Sequence, residues 1–135
     1  MIMRYFLLTI LFSSLFAQLI TPLDNAYLNH IHVLFEWEQI PETIGYDLQF
    51  SKNPEFSDEV TQIFTEDLVH IEKDMIEWDT TYYWRVRASD YENEGPGEWL
   101  DTLSFTTGLP LSNPTINPID EELYANGLTV FGAFF

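Results

Sequence analysis

The chain has 135 residues, with 22 acidic against 5 basic side chains, a formal net charge of −17 and no cysteine. Five basic residues cannot form the cationic surface that phosphate binding needs, and the lack of cysteine excludes disulfides, thiol chemistry and cysteine-based zinc sites. The length predicts one folded domain, and a hydrophobic content of 46% excludes a wholly disordered chain.

Residues 1–17 have the pattern of a secretory signal peptide. Arg4 gives a basic start, residues 5–16 are mostly apolar, and Ala17 is the small residue before the expected cut. The apolar run is short for a membrane-spanning helix. Leu15 is larger than the residue usual at its position, so an uncleaved anchor or a buried first strand is the alternative. We predict secreted, periplasmic or cell-surface localisation, with membrane attachment only through an uncleaved leader.

Apolar and polar residues alternate from Leu19 to Gly108, which places successive side chains on opposite faces of strands. In residues 30–38, every second residue up to Trp37 is apolar. The residues between them are polar except for Leu34. Turn residues separate seven predicted strands, which are 19–23, 30–38, 44–51, 60–64, 68–71, 80–89 and 100–107. Helices long enough for parallel crossovers are not predicted, so the fold class is an all-β, antiparallel, seven-stranded sandwich.

Four landmarks along these strands point to a family. They are Trp37, Tyr46-Asp47-Leu48, the run Tyr82-Tyr83-Trp84-Arg85-Val86-Arg87-Ala88, and Phe105-Thr106-Thr107. In this order, over about residues 20–108, they resemble the fibronectin type III domain in the form common in bacterial secreted proteins. The resemblance implies an immunoglobulin-like sandwich with Ile76 packed under a corner made by Tyr82. Trp78-Asp79 departs from the Pro-Gly pair that is common in the family.

The residues that carry the resemblance are expected to pack in the core of the domain. Trp37 supplies a large apolar body between two sheets, and Tyr82 is expected to bury its ring while its hydroxyl bonds to backbone. We therefore predict Trp37, Tyr46, Tyr82, Trp84 and Phe105 as structural landmarks. The chain has no Gly-x-Ser-x-Gly motif and no serine framed by a recognisable base, so we predict no catalytic residue, no cofactor and no metal site.

Two ligand sites are weighed as alternatives. His30 and His32 share one parity and could bind a metal together with His70, but their spacing matches no zinc signature. Residues 90–98 combine four acids with an asparagine and three turn residues, in an order that departs from the EF-hand rule. We predict an acidic loop in water there, with a calcium site as the alternative.

The remaining aromatic and basic residues allow two further interpretations. Tyr91, Trp99 and Trp78 could stack against sugars, although packing is the preferred interpretation. Arg85 and Arg87 lie on the outward parity of one strand, where we expect them to pair with carboxylates of neighbouring strands.

After Gly108 the composition changes. Prolines 110, 114 and 118 predict an extended linker over residues 109–118. Residues 119–135 end in an apolar stretch that a complete sandwich leaves without a partner, so we predict the start of a truncated second domain. Residues 126–131 faintly resemble the opening of the propeller domain in bacterial arylsulfotransferases.

The sequence therefore predicts a non-catalytic secreted module that acts as an interaction domain or spacer. The expected partner is an unidentified protein or glycan, with no nucleic acid and no cofactor. The alternatives are the N-terminal accessory domain of a larger secreted enzyme and a calcium- or glycan-binding module. Because 19 acidic and 4 basic residues lie in residues 19–108, we expect the charge to keep the domain soluble and to oppose edge pairing.

Overall fold

A computed structural model describes residues 17–91 and 93–112. The predicted leader up to Phe16, the predicted linker beyond Ser112 and the predicted second domain lie outside the described residues. The strands are β1 Leu19–Thr21, β2 Ala26–Leu28, β3 Val33–Trp37, β4 Tyr46–Ser51, β5 Thr61–Thr65, β6 Val69–Glu72, β7 Thr81–Ala88 and β8 Leu103–Thr107. Within the described ranges, a helix with the length and apolarity needed to cross a membrane is not found.

The strands form two sheets. One has the order β1-β3-β6 and the other has the order β2-β8-β7-β4-β5. All pairs are antiparallel except β2 and β8, which run parallel, with Tyr27 opposite Thr106. The predicted all-β sandwich is confirmed.

The opening of the chain differs from the prediction. The sequence predicts one strand over residues 19–23, whereas the chain forms β1, turns, and adds β2 to the other sheet. Pro22 lacks the N–H that would extend the ladder, and Asn25 adopts a φ of 59°, which asparagine tolerates in turns. Residues 17–91 and 93–112 contain eight strands, so the prediction of seven antiparallel strands is one strand short and misses one parallel pair.

The core lies between the sheets and is mainly aromatic. Phe35 of β3 is fully buried at its centre, with ring centroids 5.2 Å from Trp84, 5.5 Å from Phe50 and 5.8 Å from Phe105. Trp37 packs edge-on against Tyr46 at 5.6 Å. These side chains stabilise the domain by apolar burial and aromatic contact, in place of disulfides.

Tyr82 forms the tyrosine corner that the sequence predicts. Its hydroxyl accepts a hydrogen bond from the backbone N–H of Glu77 at 3.0 Å and donates to the carbonyl of Met75 at 3.4 Å. Ile76 is buried beside it, and burial raises the pKa of Tyr82. Asp79, at the predicted departure from the family pattern, adopts a φ of 49°, a conformation open to aspartate as well as glycine.

The buried carboxylate of Glu72 stabilises the turn after β6 through hydrogen bonds. Its Oε1 accepts the backbone N–H groups of Lys73, Asp74 and Met75 at 3.0, 2.9 and 3.0 Å, and its Oε2 lies 3.3 Å from Nε2 of His70. Burial raises the pKa of this carboxyl, but the donors together outweigh burial, so the pKa is lowered from its ordinary value of 4.5. The carboxylate is therefore the form that stabilises the fold.

Glu72→Gln is expected to lower the free energy of unfolding by about 1–3 kcal/mol at neutral pH, because the charge-assisted acceptor is lost. A carboxyl with a lowered folded pKa stabilises above the unfolded value of 4.5, and this stabilisation disappears as pH falls through the folded pKa. The difference between wild type and variant should therefore shrink in acid, measured by urea unfolding across pH. Glu66→Gln corrects for the loss of one negative charge. A difference that stays constant down to the lowest pH would contradict this role.

Candidate interaction surface

Arg85 and Arg87 lie on the outer face of the five-stranded sheet, beside β4. Nε of Arg87 lies 2.9 Å from Oδ2 of Asp47, a carboxylate that is itself mostly buried. Nε and Nη2 of Arg85 donate to Oε1 of Gln49 at 3.0 and 2.9 Å. The expected pairing with a carboxylate is right for Arg87. It is wrong for Arg85, because the register places the amide of Gln49 opposite it.

Aromatic rings complete this arginine cluster. The guanidinium carbon of Arg85 lies 3.9 Å from the ring centroid of Phe56 and 4.3 Å from that of Trp99. The guanidinium carbon of Arg87 also lies 4.3 Å from the Trp99 centroid. Each contact at this distance is a cation–π interaction, so Trp99 fastens its loop to the sheet.

The three aromatics of the sugar-stacking alternative lie in different settings. The Trp99 ring is engaged by two guanidinium groups, whereas a sugar needs an open ring face. Trp78 precedes β7 and Tyr91 follows it, so the two aromatics lie toward opposite ends of that strand. The three aromatics therefore do not form one platform.

The predicted metal and calcium candidates lie as follows. His30 and His32 precede β3 and are exposed, so they do not share a strand face as predicted, and His70 contacts Glu72. In the acidic loop, Oδ1 of Asp90 accepts the backbone N–H of Gly95 at 3.1 Å. Within residues 17–91 and 93–112, groups of three or more metal-ligating side chains are not found.

Two depressions lie at opposite ends of the sandwich. One, of about 400 Å³, is lined mainly by apolar residues around Ile40 and Leu100, with Glu98 at its side. The other, of about 340 Å³, contains Lys52 and Glu77, whose Nζ and Oε2 atoms lie 3.0 Å apart. The hydrogen bond to Glu77 raises the pKa of Lys52, which favours the protonated, non-nucleophilic form of its amine.

The outer face of the three-stranded sheet carries exposed aliphatic side chains. Leu34 of β3 lies opposite Ile71 of β6, and Val69 lies opposite Glu36. We call the set Ile20, Leu34, Val69 and Ile71 the aliphatic patch; its members are 40%, 41%, 44% and 53% exposed. Contiguous apolar side chains of this kind mark interaction surfaces, whereas single ones are common on any protein.

The landmarks and the strand order together decide the fold. Trp37, Tyr46, Tyr82, Trp84 and Phe105 are all buried between the sheets, as predicted. The first, third and sixth strands form one sheet, and the tyrosine on the penultimate strand bonds back to the preceding connection, as in Greek-key sandwiches. The fold is that of a fibronectin type III domain.

Solved structures with similar folds include three proteins. The fibronectin type III domain of the human KIAA0970 protein is 18% identical over 76% of this chain and 77% of that chain, with a TM-score of 0.49. The domain of human fibronectin type III domain containing protein 3 is 23% identical over 73% of this chain and 88% of that chain, with a TM-score of 0.49. Native alfa-L-rhamnosidase from Aspergillus terreus is 13% identical over 67% of this chain and 11% of that chain, with a TM-score of 0.48. Protein-family models and curated proteins give no match.

In this fibronectin type III fold, sequence reasoning missed the aliphatic patch. The signal that could have found it was Leu34, which interrupts the polar parity of its strand. The short β6 has apolar residues at Val69 and Ile71, and only the register shows that they lie beside Leu34 and face solvent. The patch is formed by side chains of paired strands, so the residue pattern of one strand alone does not reveal it.

Proposed function

We propose that this fibronectin type III domain is a non-catalytic interaction module of an exported protein. The fold suggests an interaction or spacer module, and the aliphatic patch favours interaction. A pure spacer needs only a soluble surface, whereas this domain leaves four large aliphatic side chains together in water. That exposure is the observation that carries the proposal.

The absence of catalysis is part of the proposal and is supported by what the polar groups do. Arg87, Glu72 and Thr107 each bond to groups of the fold itself. Their contacts tie strands and turns together, which is a structural use. The described residues thus offer packing and a surface, in place of a reacting centre.

Export is supported by the start of the folded domain. β1 begins at Leu19, two residues after Ala17, so cleavage there removes nothing from a strand. The backbone nitrogen of Gln18 lies 3.1 Å from Oε2 of Glu38, and after cleavage it would be an α-amino group in contact with a carboxylate. The mass of the exported protein is expected to correspond to a chain that starts at Gln18.

Site-specific photo-crosslinking in cells that produce the protein tests the interaction proposal. A photoreactive residue at Leu34 is expected to give a discrete adduct of constant mass. The matched control is Ile44, which is 69% exposed and lies outside the patch. An adduct at position 34 that is absent at position 44 supports interaction. The same adducts at both positions, or no adduct at position 34, would leave the domain as a spacer.

A further inference from the structure

Glu36 lies within the aliphatic patch. On the outer face of the sheet its register neighbours are Val69 of β6 on one side and Thr21 of β1 on the other, while Leu34 precedes it by two residues on the same strand face. The residue is half-buried. A carboxylate in such a setting is partly removed from water, so a nearby cation stabilises it more than it would a fully exposed acid.

Most basic groups of the described chain are engaged elsewhere, and Lys73 follows β6 four residues beyond Val69, the register partner of Glu36. The three ion pairs among residues 17–91 and 93–112 are Lys52 with Glu77, His70 with Glu72 and Arg87 with Asp47, and none includes Glu36. Arg85 donates to Gln49. The side chain of Glu36 is also absent from the hydrogen bonds among these residues. Within this part of the chain, the patch therefore contains a carboxylate that forms no ion pair.

We propose that the aliphatic patch binds a protein segment that presents one Arg or Lys side chain surrounded by apolar residues, and that this cation pairs with Glu36. The apolar residues of the partner cover Leu34, Val69 and Ile71. This inference rests on the proposed function and names the chemistry of the partner.

Charge complementarity selects this partner over the other occupants of an apolar face. A second copy of the chain carries the same net charge of −17, so long-range repulsion opposes the association of two copies. An anionic membrane surface is repelled for the same reason. A basic protein segment is attracted from a distance and is then held by apolar contact. Because the patch is small, the complex belongs to the weak, transient class of interfaces.

The test uses the full chain and a short amphipathic helical peptide with leucine on one face and lysine on the other. Two control peptides have glutamate in place of lysine, or the same composition in shuffled order without an apolar face. Binding is measured by fluorescence anisotropy of the labelled peptide and by amide chemical-shift changes of the protein. We expect the lysine peptide alone to shift the amides of Leu34, Glu36 and Ile71.

Variants then assign the contacts. Glu36→Gln is expected to weaken binding about tenfold, which corresponds to about 1.4 kcal/mol, whereas the charge-matched control Glu59→Gln stays within about twofold. The pair Leu34→Thr with Ile71→Thr is expected to weaken binding to a similar extent. Its control is Leu23→Thr with Ile44→Thr, which removes two exposed aliphatic side chains outside the patch. Thermal unfolding of each variant confirms that it is folded.

Four results would overturn the inference. Equal weakening by Glu36→Gln and Glu59→Gln would show general charge attraction in place of a site. Weakening by the threonine pair without an effect of Glu36→Gln would show an apolar partner surface, which retains the proposed function but removes the cation. Failure of the peptide to bind, or self-association of the chain through the patch, would remove the basic partner. The crosslink at position 34 is measured separately and decides the proposed function on its own.

Discussion

Phe35→Ala is expected to lower the free energy of unfolding by about 3–5 kcal/mol. The ring is fully buried and contacts Phe50, Trp84 and Phe105, so its removal loses apolar burial and leaves a cavity at the centre of the aromatic core. A loss of this size is a large part of the about 5–15 kcal/mol by which a typical domain is stable. Urea unfolding followed by tryptophan fluorescence measures it.

The neighbouring residue supplies the control for that prediction. Leu34 is the next residue along β3 but lies on the opposite face and is 41% exposed. Leu34→Ala is expected to change stability by no more than about 0.5 kcal/mol. Equal losses for Phe35→Ala and Leu34→Ala would contradict the burial pattern of β3, since they would mean that both faces of the strand are covered.

Tyr82→Phe is expected to lower the free energy of unfolding by about 1–3 kcal/mol, because the N–H of Glu77 loses its acceptor while the ring stays in place. The adjacent Tyr83→Phe removes a hydroxyl on the outer face and is expected to stay within about 0.5 kcal/mol. Chemical unfolding of the two variants under the same conditions gives the comparison. A loss for Tyr83→Phe as large as that for Tyr82→Phe would show that the corner hydrogen bond contributes nothing specific.

The sandwich could be predicted from the sequence because its strands alternate strongly. Val33, Phe35 and Trp37 share one parity in a strand, and all three are buried against the other sheet. The landmark Tyr82 was predictable in its role as well as its burial, since a tyrosine at the start of a long penultimate strand bonds back to the preceding connection in such sandwiches. Side-chain parity and a local hydrogen bond are both properties of neighbouring residues.

What the sequence did not predict depends on contacts between distant residues. β2 has three residues, too few for an alternation to be recognised, and it is held by pairing with β8 about 80 positions away along the chain. The stacking of Arg85 on Trp99 and Phe56 needs two loops to meet over one strand. The interior role of Glu72 is hidden for a similar reason, because an acidic residue at the end of a strand is usually taken to be solvated.

Cysteine accessibility tests the central claim, that the aliphatic patch is an open binding surface, most directly. The chain contains no cysteine, so Leu34→Cys places a single thiol in the patch, and Val33→Cys places one in the core as a control. Without a partner, the thiol at position 34 should react with a maleimide much faster than the thiol at position 33, which is buried. Adding the lysine peptide should protect position 34. A thiol at position 34 that is protected without peptide, or that the peptide leaves fully reactive, would contradict the account.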